Sequence, residues 1–227
     1  MTDPFAPPPR STAVRLKSAR KHSPSSQRWL ARQLNDPYVQ AAKAQGLRSR
    51  AAFKLIELDQ KFSLFRAKSG GRGLRVVDLG AAPGGWAQVA LKQGAAAVLG
   101  IDLLPIDPML GAQFLQGDFQ DPAIEVLLLE ALGGKADLVL SDMAPNTTGH
   151  VATDHLRIMA LAELALDFAL RTLNPGGAFV TKLFQGGAQG EMLTALKQNF
   201  GLVRHAKPAA SRKDSRELYL VATGFRG

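Results

Sequence analysis

Lys182 is out of place by residue type. It lies in Phe179-Val180-Thr181-Lys182-Leu183-Phe184, a run that reads as a central strand. Central parallel strands are apolar on both faces. A lysine there either snorkels from the strand end or serves a function. As a neutral amine it can take a proton from a weakly acidic group. Asp142 ends the strand Asp137-Leu138-Val139-Leu140-Ser141 and precedes Met143-Ala144-Pro145-Asn146. It is either a turn initiator or a charged partner for Lys182 on a neighbouring strand tip.

A second constellation surrounds a glycine-rich turn. Val76-Val77-Asp78-Leu79-Gly80-Ala81-Ala82-Pro83-Gly84-Gly85-Trp86 passes from a hydrophobic strand through the turn into a helix. Glycines let a ligand approach the backbone, and helix N-terminal amides favour an anion. The spacing Gly80-x-x-x-Gly84-Gly85, with Pro83 in the turn, departs from the dinucleotide fingerprint, and no Gly-Lys-Ser/Thr follows. Asp102 comes 18 residues after Gly84, at the end of the next strand, where a carboxylate suits the two hydroxyls of a ribose. Asp118, in Gln116-Gly117-Asp118-Phe119, ends the third strand and can accept from an adenine amino group. Alone, each aspartate, Asp78 included, is as easily a turn or capping residue. In series on consecutive strands they point to a nucleoside cofactor without phosphates. S-adenosylmethionine (SAM) fits: its carboxylate can meet the amides around Gly80, Gly84 and Gly85, and its sulfonium suits acidic surroundings. Trp86 either packs at the sheet edge or walls that pocket.

These tips need a scaffold. Short buried strands are expected at 75–79, 97–101, 113–115, 137–141, 178–183, 202–206 and 217–222. Helices are expected near 86–93, 121–132, 153–173 and 189–199, with Asn174-Pro175-Gly176-Gly177 as a stop. The alternation implies an α/β fold with a mostly parallel seven-stranded sheet and helices on both faces; the last two strands suit an antiparallel pair. Upstream, 27–34 and 37–45 read as short helices, and Ser49 as the cap of a helix reaching Phe62. That helix sets Ala51, Leu55, Leu58 and Phe62 on one face and Arg50, Lys54, Glu57 and Lys61 on the other.

The chain resembles the FtsJ/RrmJ family of ribosomal RNA 2′-O-ribose methyltransferases. The resemblance is carried by Gly46-Leu47-Arg48-Ser49-Arg50 through Phe53-Lys54-Leu55, by Val77 to Trp86, Asp102-Leu103-Leu104-Pro105, Phe114 to Phe119, Ser141 to Asn146, Lys182-Leu183-Phe184-Gln185-Gly186 and Ser215-Arg216-Glu217. These segments run in order through residues 28–224. The resemblance implies a Rossmann-like SAM-dependent methyltransferase fold, with a catalytic tetrad on Lys54, Asp142, Lys182 and Glu217. It also implies a uridine ribose of 23S rRNA in the large ribosomal subunit as substrate. In that scheme Lys182 is the general base, with its neutral form favoured by desolvation and by Lys54. Asp142 orients it, and Glu217 holds Lys54. The alternatives are a tRNA or mRNA-cap 2′-O-methyltransferase, a non-catalytic RNA-binding assembly protein, and a nicotinamide dehydrogenase. The glycine spacing, Pro83 and Lys182 weigh against the last.

Charge distribution agrees with a polyanionic partner. The 227 residues carry a net charge of +9, divided as +12 over 1–75, −7 over 76–198 and +4 over 199–227. An acidic centre between basic flanks fits nucleic acid. Arg32, Lys43, Arg48, Arg50, Lys61, Lys207, Arg212, Lys213 and Arg216 are candidates for RNA phosphates, and Trp29 and Tyr38 for stacked bases or anchors of the N-terminal helices. With no cysteine and four scattered histidines, no metal site is expected. No apolar run approaches the ~20 residues of a membrane span. A cytoplasmic monomer is expected. It would have a disordered basic tail over 1–25, whose Arg/Ser-rich composition also resembles a transit peptide. A single domain over 26–227 would follow, with a helical RNA-binding extension over 26–70.

Overall fold

The computed structural model describes residues 23–66, 73–145, 148–186 and 190–227. The expected tail lies outside the described residues as far as residue 22. The first helix, α1 (Pro24–Leu34), starts inside the last residues assigned to the tail. Ser23 caps it by accepting from Ser26 N at 3.2 Å, with Pro24 at its first turn. Asp36 does the same for α2 (Pro37–Ala44), accepting from Tyr38 N at 3.0 Å. The third helix, α3 (Ala52–Phe62), departs from expectation. Ala51 occupies its N-cap without a side-chain bond, and the Ser49 hydroxyl is buried with no partner.

The strands are β1 (Leu74–Leu79), β2 (Ala95–Asp102), β3 (Ala112–Gln116), β4 (Ala136–Ser141), β5 (Leu173–Phe184), β6 (Phe200–Ala206) and β7 (Glu217–Phe225). The remaining helices are α4 (Gly85–Lys92), α5 (Pro122–Leu132), α6 (Val151–Thr172) and α7 (Gly190–Asn199). All seven strands join one sheet in the order β3-β2-β1-β4-β5-β7-β6. The first five are parallel, and β7 is antiparallel to both β5 and β6. The Asn174–Gly177 segment does not separate helix from strand as expected: β5 begins at Leu173, directly after α6.

Two apolar layers cover the sheet. Leu55, Leu58, Trp86 and Val89 of α3 and α4 pack on the face carrying Val76, Leu140, Val180 and Tyr219. Leu128 of α5, Phe168 of α6 and Leu196 of α7 pack on the face carrying Val77, Val139 and Phe179. Strand order reverses beside β1, which has β2 on one side and β4 on the other. Ligands in open α/β sheets bind at such a point, beyond the carboxyl ends of the strands. Because β7 runs the other way, its first residue, Glu217, lies at that same edge, paired with Phe184. Among the described residues no helix is long and apolar enough to cross a membrane.

Candidate active site

Period-2 geometry explains how two of the expected residues, Lys182 and Glu217, meet. Lys182 on β5 pairs with Tyr219 on β7, and Phe184 pairs with Glu217. Alternate residues of a strand share a face, so Lys182, Tyr219 and Glu217 all point toward α3. From α3, Lys54 reaches down: its Nζ lies 2.7 Å from Glu217 Oε2 and donates to the Tyr219 hydroxyl at 3.2 Å. The Tyr219 hydroxyl in turn donates to Asp142 Oδ1 at 2.6 Å. Lys182 Nζ lies 2.9 Å from the same oxygen and donates to the Asp142 main-chain carbonyl at 2.6 Å. Ser211 Oγ donates to Glu217 Oε1 at 2.7 Å. The four residues of the expected tetrad therefore form one chain, with Tyr219 as its middle link.

Tyr219 went unrecognised in the sequence. Its signal was present: it lies two residues after Glu217, on the same face, in a strand. Burial first, and then the charges of Asp142 and Glu217, push the Tyr219 phenol well above its ordinary value, so it stays a donor. Burial alone would raise the Asp142 carboxyl. The ammonium groups of Lys182 and Lys54 and the bond from Tyr219 outweigh it and hold that carboxyl below the ordinary range. The Lys182 side chain is only 8% exposed, so its aliphatic stem does not snorkel.

On the other side of Asp142 opens a cavity of about 590 Å³, lined by Gly80, Ala82, Asp102, Asp118, Asp142 and Arg157 among others. Both Asp102 oxygens already accept a main-chain amide, Oδ2 from Ala82 and Oδ1 from Leu104, each at 2.9 Å. A carboxylate has about four acceptor positions, so two remain for a ligand. Asp118 Oδ1 accepts from Gln120 N at 3.0 Å. Gly80 permits the close passage of the Asp142 loop, since a Cβ on it would stand 2.8 Å from Met143 N. Asn146 lies outside the described residues.

Beneath the turn lies Asp78, fully buried, with neither oxygen in a hydrogen bond of normal geometry. Burial, followed by the charge of Asp142, pushes its carboxyl up to about 8, against a weaker opposing pull from the Ala87 amide. Asp78 reads in sequence as a turn or cap. The structure makes it a buried acid next to the cavity.

Three expectations need correction. The Trp86 side chain does not wall the cavity. It is 3% exposed, donates from its indole nitrogen to Ala51 O at 2.8 Å, and packs 5.7 Å from the Tyr219 ring. Gly84 and Gly85 do not line the cavity either. They are buried against Arg48 and Ser49, with which a Cβ would collide at 2.8 and 2.4 Å. What Gly84, Gly85 and Trp86 offer a ligand is the main chain at the start of α4.

Several of the expected phosphate contacts are also turned inward. Arg48 donates to Pro83 O, Asp107 O and Pro108 O. Arg50 pairs with Asp36 and donates to Ala210 O, and Lys207 and Arg216 donate to Ser215 O and Gln185 O. The side chains of Arg32, Lys43, Lys61 and Lys213 make no ion pair or hydrogen bond with described residues. Tyr38 packs on Phe53 at 5.4 Å and donates to Glu57, so it anchors α2 to α3. The Trp29 side chain lies outside what the structure describes. No group of three or more acidic or histidine side chains that could hold a metal ion occurs among the described residues.

A family model described as FtsJ-like methyltransferase matches residues 47–225. The chain is 73% identical over 217 residues to the ribosomal RNA large subunit methyltransferase E of Acidiphilium cryptum, covering 96% of this chain and 94% of that protein. It is 58% identical over 231 residues to the protein of that name from Azorhizobium caulinodans, covering 100% and 94%. A solved ribosomal RNA methyltransferase of Plasmodium falciparum superposes with a TM-score of 0.68 at 33% identity, over 79% of this chain and 99% of that one. With its strand order, its paired lysines and these relatives, the chain belongs to the FtsJ-like methyltransferase family.

Proposed function

We propose that this protein transfers a methyl group from S-adenosylmethionine to the ribose 2′-hydroxyl of a uridine in 23S rRNA, within the large ribosomal subunit, in the cytoplasm. One observation carries the reading: the chain Lys182–Asp142–Tyr219–Lys54–Glu217 stands at the lip of an acid-lined cavity, with Asp142 belonging to both. The donor set suits the cofactor. Asp102 keeps two acceptor positions for a ribose diol, Asp118 suits an adenine amino group, and the Asp142 carboxylate favours a cationic ligand. Bound there, SAM supplies an electrophilic methyl on a positively charged sulfur.

The chain's own residues handle the proton. A neutral Lys182 amine has two N–H donors, and Asp142 offers it two acceptors, Oδ1 and O. The amine lone pair is then left to take the proton of the 2′-hydroxyl. Lys54 is held by Glu217, and the role of Asp142 is to aim the Lys182 amine.

RNA approaches from the β7 side. A second cavity of about 400 Å³ is lined by Arg32, Arg50, Lys54, Arg212, Ser215 and Glu217. Arg32, exposed on its rim, suits a phosphate, whose contact gives affinity and salt dependence rather than sequence choice.

The test is labelled SAM incubated with intact large subunits, naked rRNA, tRNA and capped mRNA, followed by mapping of methylated riboses. A single 2′-O-methyluridine in 23S rRNA is expected, with none in Lys182→Ala. Label only in tRNA or cap, or in no ribose, overturns the assignment.

A further inference from the structure

Arg48 reads in sequence as one more cation for RNA, but its surroundings assign it elsewhere. Its guanidinium donates from Nη1 to Pro83 O at 3.2 Å and to Asp107 O at 2.7 Å, and from Nη2 to Pro108 O at 2.8 Å. Two separate segments are thereby joined: the glycine turn, and the stretch that follows β2. Both border the cavity, one through Ala82 and the other through Asp102 and Leu103. From inside the cavity, Asp102 joins the same two segments through the amides of Ala82 and Leu104. Asp102 and Arg48 thus grip one wall from opposite sides.

A further side-chain bond reaches the wall, from Gln116 Nε2 to Leu103 O at 3.1 Å. Residues 103–108 form no helix or strand, and Leu103 and Leu104 are 63% and 64% exposed. Arg48, by contrast, is anchored. Its amide donates to Gln88 Oε1 at 2.9 Å, Gln88 Nε2 donates to Gly46 O at 2.8 Å, and Leu47 is buried. Gly84, at φ +95°, leaves the room the guanidinium occupies. The planar fork of arginine can serve carbonyls on both segments at once; a lysine ammonium, compact and strongly hydrated, is a poor substitute.

We propose that Arg48 is a positioning residue for the cofactor. It holds the wall formed by Pro83 and residues 103–108 in the shape that binds SAM, and it does not contact RNA phosphate. The proposal rests on the reading of the 590 Å³ cavity as the SAM site.

The experiment compares Arg48→Lys and Arg48→Ala with the parent chain, each checked for folding by circular dichroism and urea unfolding. SAM affinity is measured by calorimetry without RNA. RNA affinity is measured across a salt series, and amide hydrogen exchange is followed over residues 103–111. Both variants are expected to weaken SAM binding on the order of tenfold, with faster exchange in 103–111. The KM for SAM should rise more than kcat falls, and RNA affinity and its salt slope should hold. Arg48→Lys is decisive, because it keeps the charge and loses the fork. If Arg48→Lys binds SAM like the parent with unchanged exchange, the proposal fails. It also fails if Arg48→Ala lowers the RNA salt slope by about one phosphate contact while SAM binding persists. Should the parent chain itself bind no SAM, the reading of the cavity falls, and the exchange data still judge the clamp. If Arg48→Ala does not fold, the lysine variant carries the test.

Discussion

The functional edge of the sheet divides at Asp142. Toward β5 and β7 every charge is answered: Lys54 meets Glu217 at 2.7 Å, Lys182 meets Asp142 at 2.9 Å, and Tyr219 bridges the pairs. Toward β1, β2 and β3 carboxylates face an open cavity, and Asp78 has no partner of normal geometry. The two aspartates at the ends of adjacent strands show the difference directly. Cations and a phenol hold Asp142 below the ordinary carboxylate range, while burial pushes Asp78 up to about 8. The difference teaches that one half is complete in the protein alone. The other half is open, with carboxylates on its walls.

The sharpest way to break this comparison is to remove the base. Lys182→Ala is expected to lower turnover by about 10²–10⁴ while SAM affinity, read by calorimetry, stays close to the parent's. Equal losses of both would show that the halves are not separable. Asp142→Asn should strike both halves. It leaves Lys182 without its anion, at a cost of about 3 kcal/mol in stability, and it removes an acidic wall from the cavity. Urea unfolding and SAM titration should both register it. An effect on turnover alone would place Asp142 wholly in the network.

Much of this edge was legible because strand tips are marked locally. Asp102 and Asp142 close largely apolar runs a few residues before a Pro, and Asp118 follows a Gly, so the three could be placed at successive strand ends without coordinates. Lys182 stood out against its apolar neighbours for the same reason. What could not be read was partnership across the chain. Arg48 lies 35 residues from Pro83 and 60 from Pro108, and no local pattern says that its charge is spent on carbonyls. The same holds for Arg50, whose anion, Asp36, also caps α2. Trp86 sat beside the glycine turn in sequence, yet the direction of its side chain depends on how α3 packs against α4.

Tyr219→Phe gives a smaller effect. It removes one donor to Asp142 and one acceptor from Lys54 without changing shape. A lost hydrogen bond to a charged group is worth about 1–3 kcal/mol, so turnover should fall roughly tenfold with SAM affinity unchanged. A fall restricted to SAM affinity would move Tyr219 to the cavity side.

The last expected change is one of slope. Asp78 carries a carboxyl raised in the folded state from 3.8 to about 8. Between those values the unfolded chain has lost the proton and the folded chain retains it. The folded state therefore binds more protons, and stability falls as pH rises, levelling off above about 8. Asp78→Asn keeps the shape and cannot ionise. Without cofactor, its melting temperature relative to the parent should climb steadily from pH 5 to pH 8 and then stay level. Any constant cost of a buried amide shifts the whole curve and leaves this slope intact. A flat difference across the range would mean that Asp78 is ionised and answered in the folded chain, which would erase the contrast with Asp142. Asp142→Asn should give the opposite slope, because the parent's stability from Asp142 is present above the ordinary carboxylate range and is lost as the pH drops through its lowered value.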